Sequence, residues 1–79
     1  MNCFLSAFMK RNDILYGQRF EIVRKRDNVT MGVYWIEDFK KYGPVLATEP
    51  TSYWTAAEAL QKLEKHVCYA KKMIAWRCE

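Results

Sequence analysis

The sequence has few of the residues that most often carry chemistry. It contains one histidine and three cysteines, and glycine and proline number only three and two. A structural zinc site needs clustered Cys and His, and a disulfide framework needs an even set of cysteines in a secreted chain. Cys3, Cys68 and Cys78 meet neither condition. We therefore expect free thiols, no metal and no cofactor.

No apolar run in the sequence is long enough to span a bilayer. The first nine residues include Phe4 and Phe8, but the charges of Lys10 and Arg11 follow this stretch, whereas in a signal peptide they would precede it. We therefore expect a soluble, cytoplasmic protein that does not bind membranes.

Motifs for catalysis are missing as well. The sequence has no Gly-rich phosphate loop, no nucleophile elbow and no His/Glu metal signature. His66 and Cys68 would point apart on a helix, and Glu37 and Asp38 would diverge on a strand. We therefore expect that the protein is not an enzyme, and a small enzyme centred on His66 is the class least favoured.

What is present suits one small globular domain, and we assign residues 1–79 to it. Hydrophobic residues make up 51% of the chain and aromatic residues 15%, so a packed core is expected rather than disorder. The net charge of +4 favours acidic partners. Acidic residues are scattered among the basic ones, so charge alone does not indicate nucleic acid.

A β-hairpin is predicted over residues 19–36. Two alternating runs, 19–26 and 29–36, flank Asp27-Asn28, a pair that tolerates the positive φ of a two-residue turn. That turn would place Arg26 opposite Val29 and would set the register of the ladder. The side that would then face the core carries Phe20, Ile22, Val33 and Trp35, so Val33→Asp is predicted to be severely destabilising.

A third strand and a long helix are predicted to follow. Residues 45–48 have the length and composition of a strand, and Pro50 ends it. Thr55 and Glu58 form a capping-box pattern, after which apolar residues recur at steps of four and three. The stripe that predicts one long C-terminal helix consists of Ala56, Leu60, Leu63, Val67, Ala70 and Ile74.

The predicted fold is therefore α+β, with a three-stranded, mainly antiparallel sheet packed on one long C-terminal helix. The amino-terminal residues 1–18 fit either a short helix or an irregular arm. Phe4, Leu5 and Phe8 have helical spacing, while Gly17 interrupts any longer element.

The far side of the predicted helix carries large aromatic and basic residues that packing does not require. Trp and Tyr offer a large contact area at low entropic cost, and Lys stems cover apolar ground. We expect this side to be a docking face for a protein partner, a homodimer seam, or a surface buried by the amino-terminal arm. The candidate partner-binding residues are Lys62, Lys65, Tyr69, Lys72 and Trp76.

A second basic and aromatic set lies on the predicted hairpin and the connector after it. Arg and Lys can contact phosphates while Tyr stacks on a base, so nucleic acid is the alternative partner. Three strands followed by a helix are loosely reminiscent of some small DNA-reading domains, although charge at turns also blocks aggregation. The candidate nucleic-acid-binding residues are Arg19, Arg24, Lys25, Arg26, Tyr34, Lys40 and Lys41.

The sequence thus predicts a non-catalytic protein-interaction module, an adaptor or inhibitor-like accessory protein that docks through the outer helix face. A small aromatic-rich domain without catalytic motifs would suit an accessory product of a virus or mobile element. A nucleic-acid-binding domain that uses the basic hairpin face is the alternative.

Overall fold

A computed structural model describes residues 3–73 of the chain, in which a pair of helices packs on one face of a four-stranded antiparallel sheet. The strands lie in the spatial order β3-β2-β1-β4, so the last strand pairs with the first. In chain order the elements are α1 (Cys3–Asn12), β1 (Phe20–Arg24), β2 (Val29–Phe39), β3 (Gly43–Thr48), α2 (Ala56–Glu64) and β4 (Cys68–Lys72).

The start of α2 is the one that the capping box predicts. The Thr55 hydroxyl accepts a hydrogen bond from the Glu58 N–H at 3.2 Å, and the Glu58 carboxylate accepts one from the Thr55 N–H at 3.0 Å. Two backbone groups that a helix start leaves unpaired are thereby satisfied. This prediction is confirmed.

The predicted long C-terminal helix is wrong, because α2 ends at Glu64. His66 adopts the left-handed conformation with φ 59°. Its N–H donates to the Leu63 carbonyl at 3.0 Å, and the Val67 N–H donates to the Lys62 carbonyl at 3.2 Å. This pair of bonds is a Schellman motif, which satisfies the last carbonyls of the helix and turns the chain away from its axis.

Strand β4 takes the place of the predicted second half of that helix, so the three-stranded sheet is wrong as well. Residues Cys68–Lys72 pair antiparallel with β1, and Phe20 lies opposite Lys72. Cys68 and Ala70 point to the core with the two-residue period of a strand. The pairing satisfies the backbone groups of β1 that would otherwise form an open sheet edge.

The hairpin of β1 and β2 is confirmed, but its turn is not the predicted one. The loop holds four residues, 25–28, and Arg24 lies opposite Val29. The Arg24 guanidinium closes the loop with hydrogen bonds of 2.9 and 2.7 Å to the two carboxylate oxygens of Asp27. This contact raises the pKa of Arg24 and lowers that of Asp27.

The four-residue loop moves the pairing by two residues, which leaves each side chain of β2 on its predicted face. One extra residue in β2 beyond Thr30 then adds a shift of one residue, and this reverses the two faces. Phe20 lies opposite Tyr34 instead of Trp35, and a one-residue shift turns every side chain of the partner strand over. Val33 and Trp35, which were predicted to face the core, are half-exposed on the other side. Tyr34 and Ile36 are fully buried in their place.

A β-bulge adds one residue to β2 near the loop. Ile22 lies opposite Gly32 and Val23 opposite Thr30, so Met31 has no partner on β1. The Met31 side chain is buried in the core. The bulge therefore brings an additional apolar side chain to the inner face of the sheet.

The core lies between the two helices and the inner face of the sheet. The amino-terminal residues form a helix, and the Phe8 ring of α1 lies 5.8 Å from the Phe20 ring, centroid to centroid. Leu63 of α2 belongs to the same cluster. The inner face of the sheet contributes Phe20, Ile22, Met31, Tyr34, Ile36, Leu46 and Cys68.

Candidate functional site

Neither helix in residues 3–73 covers the outer face of the sheet. Side chains alternate along a strand, so the register determines which residues point away from the helices. We call these residues the open face. They are Arg19, Glu21, Val23, Thr30, Val33, Trp35, Glu37, Phe39, Val45, Ala47, Tyr69 and Lys71, and of these Val23 is buried.

Trp35 lies at the centre of the open face, on the longest strand. The guanidinium carbon of Arg19 lies 3.8 Å from its ring centroid, and the indole N–H donates to a Glu37 carboxylate oxygen at 2.9 Å. The Arg19 guanidinium also donates to the Gly17 carbonyl at 2.9 Å. These contacts hold the ring in place before any partner binds, which lowers the entropic cost of using it as a contact residue.

An apolar stripe crosses the open face along β2 and β3. Ala47 lies opposite Trp35 across this pair of strands. Phe39 is 47% exposed and Val45 is 40% exposed. Contiguous exposed apolar side chains are typical of interaction surfaces. The apolar stripe consists of Val33, Trp35, Phe39, Val45 and Ala47.

The charges of the open face cancel. Arg19 and Lys71 are basic and Glu21 and Glu37 are acidic, and Glu21 lies directly opposite Lys71. Because the chain carries a net charge of +4, the whole of that net charge resides outside this face. A neutral and partly apolar surface fits a protein partner better than a phosphate backbone, which requires concentrated positive charge.

A corner of the sheet beside Arg19 displays two large apolar side chains. Leu15 is 71% exposed and Tyr16 is 49% exposed. Their loop is held by a hydrogen bond of 2.9 Å from the Gly17 N–H to the Ile36 carbonyl. The loop and Arg19 line a common cleft, so the apolar surface at this corner borders the open face.

The five predicted partner-binding residues do not share a helix face. Lys62 lies on α2 and Lys65 is its C-cap residue. Tyr69 and Lys72 lie on β4 and point to opposite faces of the sheet. Trp76 lies outside the described residues. The assumption of one continuous helix was wrong, and of the four described residues only Tyr69 belongs to the open face.

The exposed loop cations among the predicted nucleic-acid-binding residues lie at two ends of the sheet. Lys25 and Arg26 are in the β1–β2 loop, whereas Lys40 and Lys41 are in the β2–β3 turn. The eleven residues of β2 separate the two pairs by about 36 Å. The set therefore does not form one continuous basic surface, and Arg19 contacts Trp35 between the two pairs.

Tyr34 is not available to stack on a base. Its side chain is fully buried, and its hydroxyl donates to the Trp54 carbonyl at 2.9 Å. Burial raises the pKa of this phenol. Tyr34 therefore acts in packing, and of the aromatic residues on β2 it is Trp35 that remains partly exposed.

The Cys68 thiol lacks the features of a reactive nucleophile. Cys68 is buried, and burial raises the pKa of its thiol to about 11, although Lys25 and Lys62 act in the opposite direction. A thiol with that pKa is protonated at neutral pH and is a poor nucleophile. His66 is exposed at the end of α2. Within residues 3–73, no three His, Cys, Asp or Glu side chains are grouped so as to hold a metal ion.

Sequence reasoning missed the centre of the open face, because Trp35 and Val33 were assigned to the core. That assignment depended on an unbroken alternation along β2, which the bulge at Met31 interrupts. The signal that could have corrected it is Gly32, since an isolated glycine within a strand pattern indicates a bulge.

Comparison of the chain with protein-family models, with curated proteins and with solved structures gave no match. A functional proposal therefore depends on the geometry of the described residues. Among those residues, neither helix has the length and apolar character needed to cross a lipid bilayer.

Proposed function

We propose that this chain is a small non-catalytic protein-interaction module that binds its partner through the open face. The observation that supports the proposal is the partly exposed Trp35 ring at the centre of the sheet face that neither helix covers, held by Arg19 and Glu37. Trp and Arg are enriched among the residues that dominate binding energy at interfaces. The apolar stripe around Trp35 supplies the area that such a contact would bury.

The edges of the sheet are less suitable for binding than its open face. Pro44 on β3 has no backbone N–H to donate, and β4 carries Lys71 and Lys72. Proline and lysine on edge strands oppose pairing with a further strand. Recognition in this proposal therefore uses side chains of the open face.

An adaptor or inhibitor is the role that this proposal favours, because such proteins act by occupying a surface and need no reactive group. An accessory protein of a virus or mobile element is our hypothesis for the setting in which the chain acts.

Photo-crosslinking in a lysate of the source organism tests the proposal. A benzophenone side chain at position 45 lies on the open face, whereas one at position 53 replaces Tyr53, which is 72% exposed outside it. We expect a crosslinked protein from position 45 and none of that mass from position 53. Nuclease treatment should leave the product unchanged, and Trp35→Ser should remove it.

A far-UV circular dichroism spectrum of each variant checks that it is folded. Identical products from positions 45 and 53 would count against the open face as the binding surface. A product that disappears with nuclease would count against a protein partner.

One observation favours nucleic acid as a second candidate: two exposed cationic pairs flank the open face at the two ends of β2. A single strand laid along β2 could contact Lys25 and Arg26 at one end and Lys40 and Lys41 at the other. A gel-shift assay tests this candidate. Retardation that falls steeply with salt would support it, because each phosphate contact releases counterions. Unretarded duplex and single strands at low salt would dismiss it.

A further inference from the structure

The net charge of the chain restricts which of its surfaces can meet a second copy. At +4, two copies repel each other, and contacts between basic surfaces add to that repulsion. The open face is neutral, because Arg19 and Lys71 are offset by Glu21 and Glu37. Two copies can therefore meet through the open face without net repulsion between the contacting surfaces.

The open face also carries both signs of charge side by side. In a two-fold interface the same patch supplies both partners, so each attractive pair is formed twice. Glu21 lies beside Lys71 across β1 and β4, and Arg19 lies beside Glu37 around the Trp35 ring. A second copy related by the two-fold axis can therefore place its acidic side chains against the basic side chains of the first copy.

The dimensions of the open face suit a weak dimer. β2 has eleven residues, but the other three strands have only five or six each. At about 3.3 Å per residue and about 4.8 Å between strands, the sheet presents roughly 430 Å². A standard interface buries about 800 Å² on each partner, so the open face supplies about half of that area, and association should depend on concentration.

A second copy would also complete the packing of a small fold. The apolar stripe lies on the face that the helices leave uncovered, and a chain of about 80 residues buries only about 60–65% of its unfolded surface. Two sheets packed face to face would bury the stripe of both copies. Binding between folded copies would then stabilise the folded state by mass action.

We infer that the protein bound by the open face is a second copy of this chain, and that two copies pack sheet to sheet through it. This inference depends on the proposed function and names its partner. In the dimer, Trp35 is the central contact residue. Both helices and the exposed Leu15 remain at the outside, where a further protein could bind.

The salt dependence of this dimer is opposite to that of a phosphate contact. Lys25 and Arg26 lie at one end of the open face, and Lys40 and Lys41 lie at the other. Whether β2 of the two copies runs parallel or antiparallel, a face-to-face dimer therefore brings cations of one copy near cations of the other. Salt screens this repulsion, so the dimer should hold or strengthen as salt rises.

Sedimentation equilibrium of the 79-residue chain, over a wide concentration range at low and at high salt, tests the inference. We expect a monomer–dimer equilibrium that does not weaken with salt. Trp35→Ser should weaken dimerisation about thirtyfold, equivalent to about 2 kcal/mol. Val45→Lys, at an exposed position of the apolar stripe, should also weaken it. Tyr53→Ser is the control and should leave it unchanged.

A chain that remains monomeric at every concentration and salt would overturn the inference. If position 45 then crosslinks a different protein from the lysate, the proposed function survives without the dimer. A dimer that neither Trp35→Ser nor Val45→Lys weakens would place the contact elsewhere and would also overturn it. A dimer that dissociates steeply as salt rises would be held by charge and not by the apolar stripe. That result would also overturn the inference.

Discussion

Gly32 occupies the bulged segment of β2, where the backbone passes close to Ser52. A Cβ at this position would overlap the Oγ and Cβ atoms of Ser52, and the backbone φ is 153°. Ser52 is held in place because its hydroxyl accepts a hydrogen bond from the Val33 N–H at 3.2 Å. We expect Gly32→Ala to lower the free energy of unfolding by about 3 kcal/mol, the upper end of the usual cost of overpacking. Urea denaturation measures this loss.

Gly17→Ala is the matched control for this prediction. Gly17 also has a positive φ, of 81°, but no heavy atom lies within 4 Å of an added Cβ. Only backbone strain is introduced, so a loss of about 1 kcal/mol is expected. Equal losses for the two variants would show that the Ser52 contact is not the cause.

The Cys68 thiol should make the folded chain less stable in alkaline solution. Burial raises its pKa to about 11 from its usual 9.0, so the folded chain retains a proton that the unfolded chain releases. The contribution to stability is intact below pH 9 and is lost as pH rises from 9 towards 11. The pKa of Tyr34 is also raised by burial and acts in the same direction.

Urea denaturation at a series of pH values compares the parent with Cys68→Ala. The variant should lose less stability between pH 9 and pH 11, because it lacks the thiol. Profiles of equal slope would contradict the prediction. Cys68 also contributes to the raised pKa of Tyr34, so removing the thiol lowers that pKa and changes the slope in the same direction.

Among the elements, the end of α2 decides the topology of the sheet. His66 adopts a left-handed conformation with φ 59°, a position where glycine is usual because a Cβ is strained there. We expect His66→Gly to raise the free energy of unfolding by about 0.5–1 kcal/mol. In an uninterrupted helix, glycine at the same position would lower it by up to about 0.5 kcal/mol, because histidine is already a weaker helix former than alanine. The sign of the change in thermal denaturation distinguishes the two structures.

Lys65→Gly is the control for this experiment. Lys65 is the C-cap residue with φ −88°, so glycine relieves no strain there. The greater freedom of glycine in the unfolded chain should make this variant less stable than the parent. Equal stabilisation by both substitutions would rule out the left-handed termination as the cause.

The elements that the sequence predicted correctly depend on local signals. The capping box at Thr55 satisfies backbone groups within one turn of the helix, and the alternation in β1 and β2 requires only neighbouring residues. The register of the hairpin depends on the loop, where the Arg24–Asp27 contact competed with the turn preference of Asp27-Asn28, and on the bulge at Met31, which decides which face of β2 is buried. Packing supports the observed register, because it places the Tyr34 side chain in the core, where it is fully buried.

For the whole molecule, a single core joins both helices to the sheet, so the chain should unfold as one unit. Leu63 is 4% exposed in this core. We expect Leu63→Ala to lower the free energy of unfolding by about 2–5 kcal/mol through the cavity it leaves. Circular dichroism and tryptophan fluorescence should report the same transition.

Val33→Asp is the contrasting variant. The sequence predicted severe destabilisation, but Val33 is half-exposed on the open face. Its effect on stability should be well below that of Leu63→Ala. Comparable losses for the two variants would contradict the placement of Val33 outside the core.

By itself, the sequence determined a single α+β chain with a hairpin, a third strand and the start of α2, because caps, turn residues and alternation act between near neighbours. Only the tertiary structure decided whether residues 68–72 form a helix or a strand. Their short apolar pattern fits both periods, and pairing with the edge of β1 favoured the strand. The same ladder placed Trp35 outside the core, because its register depends on contacts between strands that no local pattern contains.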